Sequence, residues 1–497
     1  MRFVQKKKLM EAMDTMKDAH EMISELCGQG ETGQVYDMLI QLQEMAMKIG
    51  EAMECDQDCP QGIVEKLERY CEQIYECSME LENNKPVMDR NRNMIWHLER
   101  IENLLMNIKA KVKVAFFPYK YSMWDALESV WAAAENDERC ECQVVPVPYY
   151  IKNEEGQLSE MNYEGADFEK VCPILDHREY RLEEERPDII YIHNPYDQYN
   201  RVTMIDERFF SAELKKYGGL LVYIPYYIAG FCGQYENMDI ACKGVINSDY
   251  IILQSKALKE AYLYWGVPEK KLLVLGSPKI DAIKKSEQAT VDLDEKWKQA
   301  ISGKKVVLFN SSIVNFVADH DWLLKMKEHV LSVIQKEDMA LIWRPHPLLK
   351  ETIQTMENDK IEQYAELVKT ITEAENAVMD DSSDAYKAIK LSDAMVSDYS
   401  SLALQYMFTG KPAFLWNGSS KMHIKYLFCN IYGNYFFQDG ISLETFLEMV
   451  RKGEDPKREE RLQSVPWGIE NTDGTCGEKI HAAICQKSGI GTEVEKA

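Results

Sequence analysis

LIWRPHP at 341–347 and MVSDYSSLALQYMFTGKPAFLW at 395–416 decide how this chain reads. The first is an apolar strand that ends in Arg344-Pro345-His346-Pro347. The second starts as an apolar strand that stops at Ser397-Asp398; Tyr399-Ser400-Ser401 then open a helix that ends near Gly410, and a third strand follows Lys411-Pro412. Short apolar strands alternating with helices predict a parallel sheet. Two polar clusters then fall at the carboxyl ends of neighbouring strands, the edge at which open α/β sheets bind ligands. One carries Arg and His, the other hydroxyls at a helix start, where free N–H groups favour a phosphate. The pattern points to a donor that bears a diphosphate.

Working outward, the same rhythm fills two stretches. KKVVLFNSS (304–312), ALIWRP, AVMD, AMVSD and AFLW give the strands of 286–497, with helices at about 322–336, 350–369, 383–391, 443–451 and 476–485. KVKVAFFPY (111–119), CQVVPVPYY (142–150), IIYIHNPY (189–196), GGLLVYIPYY (218–227), YIILQS (250–255) and KLLVLG (271–276) give those of 111–285. Two Rossmann-like, doubly wound α/β domains facing a cleft are the expected architecture. Residues 1–110 differ. Met10, Met13, Met16, His20, Ile23 and Leu26 recur at helical spacing, as do Ile63, Leu67, Tyr70 and Ile74, with breaks at 28–33, 56–62 and around Pro86. An all-α appendage is expected there, suited to packing or to homo-oligomer formation.

The 497 residues hold 82 acidic and 58 basic side chains, a formal net charge of −24. Such a surface repels nucleic acid and, without a local basic patch, anionic lipid. The thirteen cysteines show no paired ligand spacing, so reduced thiols are expected and no metal site. The basic Met1–Lys8 is followed by an amphipathic mix and not by an apolar signal core, and no stretch reaches the ~20 apolar residues that cross a bilayer. A cytoplasmic location follows, with peripheral contact at the inner face of the membrane as the most that is expected.

RPHP at 344–347, SDYSS at 397–401, LGSPKID at 275–281, PDIIYIHNPYD at 187–197 and NTDGTCGEKI at 471–480 resemble the CDP-glycerol glycerophosphotransferase family of teichoic-acid-type polymerases, over roughly 111–485. The resemblance implies a GT-B fold, no cofactor, a CDP-linked donor and a cell-surface polymer or lipid-linked acceptor. It puts His346, Ser400 and Ser401 at the donor phosphates. Arg344 joins them on physical grounds, since a guanidinium offers phosphate several donors. One element of the family pattern is missing. The family's His-Gly pair after a first-half strand, whose His is the general base, is replaced by Tyr223-Ile224-Pro225-Tyr226-Tyr227-Ile228-Ala229-Gly230. With a pKa near 10, Tyr is a poor base at neutral pH.

Each candidate has a plainer reading beside the functional one. His346, stiffened between prolines, either faces the cleft or is a buried structural His. Ser400 and Ser401 either touch phosphate or belong to a helix turn capped by Ser397 or Asp398. Asn310 and Ser311, ending KKVVLF, either approach the donor or close a loop. His193, ending IIYI, is the best replacement base, with a structural or acceptor-positioning role as the alternative. Asp319 and His320 form a weaker pair, and Tyr226 and Tyr227 either contact the acceptor or line the wall. Transfer of a polyol phosphate from a CDP donor is therefore the leading reading. A nucleotide-sugar glycosyltransferase of the same fold and a degenerate donor-binding scaffold are its competitors.

Overall fold

The computed structural model of the chain describes all residues except 55–61, 154–155, 201–202, 231–238, 312–315, 317–320, 347–348, 383–384, 399, 417–432 and 490–497. They fall into two compact units, Met1–Val114 with Asp137–Cys142, and Ala115–Asn136 with Gln143–Ala497.

The first unit is built on helices α1 (Phe3–Gln29), α2 (Thr32–Glu54), α3 (Ile63–Glu82) and α4 (Met88–Met106). The predicted breaks are where they end. Gly30 takes φ +81 to terminate α1, and Pro86, which lacks an N–H, separates α3 from α4. Met13, Met16 and Ile23 pack with Leu39, Leu67, Leu98 and Ile101 in one apolar core. His20 lies inside this stripe because it is fully satisfied there. Its Nδ1 pairs with Asn91 Oδ1 at 2.6 Å and its Nε2 with the Tyr70 hydroxyl at 2.6 Å. Among the described residues no helix is long and apolar enough to cross a membrane.

The second unit carries the two parallel sheets. Strands β1 (Val112–Phe117), β2 (Cys140–Val144), β5 (Ile189–Ile192), β7 (Leu220–Tyr223), β8 (Tyr250–Leu253) and β9 (Leu272–Val274) stand in the order β2-β1-β5-β7-β8-β9. The unit boundary runs through β1 and β2. CQVVPVPYY is not one strand, because Pro146 and Pro148 interrupt the ladder. Its end becomes β3 (Tyr149–Lys152), which joins β4 (Leu158–Asn162) and β6 (Thr203–Ile205) in a small antiparallel sheet. Helix α5 (Glu128–Glu135) follows β1 after a 3-10 turn at Tyr121–Ala126, and α6 (Pro278–Gln288) follows β9.

The other sheet has the order β12-β11-β10-β13-β14-β15, in which β10 (Lys305–Ser311), β11 (Met339–Pro345), β12 (Ala377–Met379), β13 (Ala394–Ser397), β14 (Ala413–Leu415) and β15 (Tyr435–Phe436) are all parallel. This is the doubly wound order with a switch point between β10 and β13. Helix α7 (Tyr386–Leu391) precedes β13 and α8 (Ser401–Met407) follows it. Strand residues bury both faces, Val306, Leu308 and Ile342 on one side and Val307, Phe309 and Trp343 on the other. The predicted helix over 350–369 is two helices, Leu349–Met356 and Ile361–Glu373, joined by a 3-10 turn.

The last helix, α9 (Cys476–Ser488), packs on α5 of the first sheet's half. It is held there by the sequence LGSPKID. The Asp281 carboxylate accepts from the N–H groups of Cys476 at 3.0 Å and Gly477 at 2.7 Å, satisfying two free donors of α9. Asn471 Nδ2 donates to the Leu275 carbonyl at 2.8 Å. Gly276, at φ +93, lies so close to the Glu470 carbonyl that a Cβ would stand 2.3 Å from it.

Candidate functional site

Register places the candidate donor residues side by side. Asn310 on the central strand β10 faces Arg344 on β11 and Ser397 on β13. With strands ~4.8 Å apart, all three stand on one carboxyl edge. Asn310 is buried, and its Nδ2 donates to Ser397 Oγ at 2.9 Å and Ser400 Oγ at 3.0 Å. Ser400 is itself the N-cap of α8, accepting from Ala403 N at 3.3 Å, so the cap is neither Ser397 nor Asp398. Ser397 Oγ turns back to the Asp398 carbonyl at 2.7 Å. Ser401 is exposed at the first helical position, and buried Ser311 keeps a hydroxyl with no partner among the described residues.

His346 follows β11 and is half-buried. Burial holds its pKa below the ordinary histidine value, and the nearby Asp398 carboxylate pulls the other way. The imidazole therefore favours its neutral form at neutral pH. His346 directly follows Pro345, the register partner of Ser311, which puts it at the same carboxyl edge.

Arg344 differs from expectation. Its Nη1 binds Asp380 Oδ2 at 2.7 Å and its Nη2 the Ser382 carbonyl at 2.9 Å, in a pair whose side chains are 12% and 2% exposed. The guanidinium is committed to the turn after β12. Its first task is to hold that turn, and no phosphate is needed to explain its position. The sequence reading named neither Asp380 nor Ser382, which lie 36 and 38 residues further on.

On the other half, the carboxyl edge is aromatic. Tyr119, His193, Tyr226 and Tyr227 form a chain of edge-on contacts, with ring centroids 5.7, 6.2 and 5.4 Å apart. The replacement-base reading of His193 is corrected by its surroundings. The ring is fully buried, Nε2 accepts from the Tyr119 N–H at 3.2 Å, and Nδ1 faces the Met123 carbonyl at 3.2 Å. That pattern fixes the neutral tautomer with hydrogen on Nδ1 and leaves neither nitrogen for an acceptor hydroxyl. Burial drives its pKa down to about 4. Tyr119 is pushed up to about 12 by burial and cannot serve as the base either. Tyr226 and Tyr227 are partly exposed at this edge. Ser312, Asp319 and His320 lie outside the described residues.

The comparisons with known proteins agree with the motifs. A model of the family described as CDP-Glycerol:Poly(glycerophosphate) glycerophosphotransferase matches residues 234–421, a span that includes the motifs at 275–281, 344–347 and 397–401. No curated protein matches the chain. Among solved structures, the chain is similar to a protein assigned as a UDP-N-acetylglucosamine 2-epimerase from Listeria monocytogenes, at 15% identity and TM-score 0.52, over 77% of this chain and 98% of that one. It is similar to S. aureus MnaA in its UDP co-structure at 14% identity and TM-score 0.50, over 77% and 98%. The wall teichoic acid polymerase TagF aligns at 13% identity and TM-score 0.47, over 85% and 98%. At such identities the first two establish the fold alone, the expected Rossmann-like α/β architecture.

Proposed function

We infer that the chain is a transferase of the CDP-glycerol glycerophosphotransferase family. On that premise, its second unit moves a glycerol phosphate-type group from a CDP-linked donor to a teichoic-acid-type polymer or its lipid-linked primer. The observation that carries this reading is the cluster of Asn310, Ser397, Ser400 and His346 on one sheet edge, inside the segment that matches the family. The donor diphosphate lies over that edge, met by the Ser400 and Ser401 hydroxyls, by the Ser311 hydroxyl and by His346. The acceptor hydroxyl comes from the side of Tyr226 and Tyr227. Its oxygen attacks the β-phosphorus in line and the hydroxyl proton is released to water. The new O–P bond forms as the bridge to the α-phosphate breaks, and CMP departs with the electron pair. Positioning and charge stabilisation supply most of such a barrier reduction, at about 3 kcal/mol per well-placed donor.

The leaving group provides the test. Polyol-phosphate transfer from CDP-glycerol releases CMP, whereas sugar transfer from a nucleotide sugar releases a nucleoside diphosphate. Release of CMP that depends on added polymer or primer supports the reading. Release of a diphosphate from a nucleotide sugar overturns it in favour of a glycosyltransferase. A third reading, a donor-binding scaffold without turnover, draws support from the saturation of His193, the best replacement base read from the sequence. It predicts CDP-glycerol binding without CMP release. In the active enzyme, His346→Ala lowers kcat at least tenfold with the fold unchanged. Homo-oligomer formation through the helical unit and peripheral membrane contact accompany this reading, and sedimentation with and without vesicles tests both.

A further inference from the structure

One carboxylate joins the half that carries the aromatic edge to the half that carries the hydroxyl cluster. Asp125 lies in the 3-10 turn after β1, and its Oδ2 is 2.5 Å from Lys279 Nζ, in a pair whose side chains are 14% and 6% exposed. Tyr386, the first residue of α7, donates its hydroxyl hydrogen to the same oxygen. The other oxygen, Oδ1, is buried without a partner among the described residues.

The placement of Lys279 argues against a local stabilising role. It stands in the first turn of α6, where the helix macrodipole disfavours a cation. A buried ion pair is also no better for stability than apolar side chains of similar volume. What the pair supplies is direction, because a desolvated carboxylate must sit where its partners are.

From Asp125 the linkage runs both ways. Two residues earlier, the Met123 carbonyl accepts from His193 Nδ1, and the His193 ring leans on Tyr226 at the aromatic edge. On the other side, Tyr386 closely follows the turn in which Asp380 and Ser382 hold Arg344, the register neighbour of Asn310. We propose that Asp125 is a positioning residue that sets the spacing between the two edges, with Lys279 holding its charge in place and Tyr386 as its contact from the opposite half. In-line transfer needs reacting atoms within ~3.5 Å, and an error of ~1 Å costs on the order of a hundredfold. The proposal rests on the proposed transfer reaction only for its kinetic arm.

The test uses the full chain with Tyr386→Phe, Asp125→Asn and both together. CMP release from CDP-glycerol gives kcat and KM, and hydrogen exchange over 121–126 and 386–391 reads the contact without any turnover. Each single variant is expected to lower kcat at least tenfold with KM for CDP-glycerol within twofold. Exchange in both segments should rise together, and the double variant should be no slower than Asp125→Asn alone. The proposal is overturned if Tyr386→Phe leaves kcat and the exchange of 121–126 within twofold of the parent. Losses that multiply in the double variant overturn it as well. If the parent chain releases no CMP, the transfer reading fails while the exchange arm still decides this one.

Discussion

Replacing Arg344 by Ala separates the two roles a guanidinium can have at this sheet edge. In the ligand-free protein, Arg344→Ala removes the 2.7 Å partner of Asp380 Oδ2 and leaves a carboxylate that is 2% exposed. Breaking one side of a buried ion pair costs about 3–5 kcal/mol. Asp380 keeps the Ser382 hydroxyl at 2.6 Å and the Ser382 N–H at 3.3 Å on Oδ1, so the lower end, about 3 kcal/mol, is the expected loss. Arg344→Met combined with Asp380→Asn leaves no bare charge and should lose about 1 kcal/mol. Urea unfolding followed by tryptophan fluorescence measures both, because Trp343 is fully buried beside the altered position. The midpoint should fall clearly for Arg344→Ala and recover most of the way in the double variant. Suppose instead that Arg344→Ala unfolds within about 0.5 kcal/mol of the parent while CDP-glycerol binding collapses. The guanidinium would then serve the donor and not the turn, and the reasoning from the Asp380 pair would be refuted.

Other outcomes follow from the same geometry. His193 has a folded pKa of about 4 against an ordinary 6.5, so between those values the unfolded chain binds a proton that the folded chain refuses. Stability is therefore complete above pH 6.5 and falls by up to about 3 kcal/mol as the pH drops towards 4. His193→Gln should flatten that part of a pH–stability profile, and an unchanged slope would count against the burial described. His346 is held below its ordinary pKa in the free protein, and a diphosphate beside it would raise that value. CDP-glycerol binding near pH 7 should then take up a fraction of a proton, seen by calorimetry in buffers of different ionisation enthalpy and lost in His346→Ala. Gly276→Ala meets both a positive φ and a carbonyl at 2.3 Å, so it should destabilise by about 2 kcal/mol or more in thermal unfolding.

Strands that bury both faces, such as VVLF, LIW and AMV, stand out in the sequence as continuous apolar runs between turn signals, and the parallel, doubly wound character of the second sheet followed from them, though not its strand order. The bundle was legible for a related reason, since its apolar positions recur every three or four residues until Gly or Pro interrupts. What could not be read depends on contacts distant in the chain. Arg344 looked free for phosphate because nothing near it in sequence announces Asp380. His193 looked like a base because its partners, the Tyr119 N–H and the Met123 carbonyl, are backbone groups that leave no side-chain signature. Lys279 and Asp125 lie 154 residues apart, and only the fold makes them neighbours. Ser400 was read correctly as part of a helix start, but its capping role depends on a backbone angle no residue pattern specifies.

The return of α9 to α5 bears on how this chain comes off the ribosome. The surface of α5 against which α9 rests emerges about 340 residues before its cover. At ~5–20 residues per second, that leaves an apolar flank bare for roughly 20 to 70 s of translation. Premature stops or a stalled message would release polypeptides whose earlier α/β lobe stays unsealed, and these are the species a chaperone or protease would meet first.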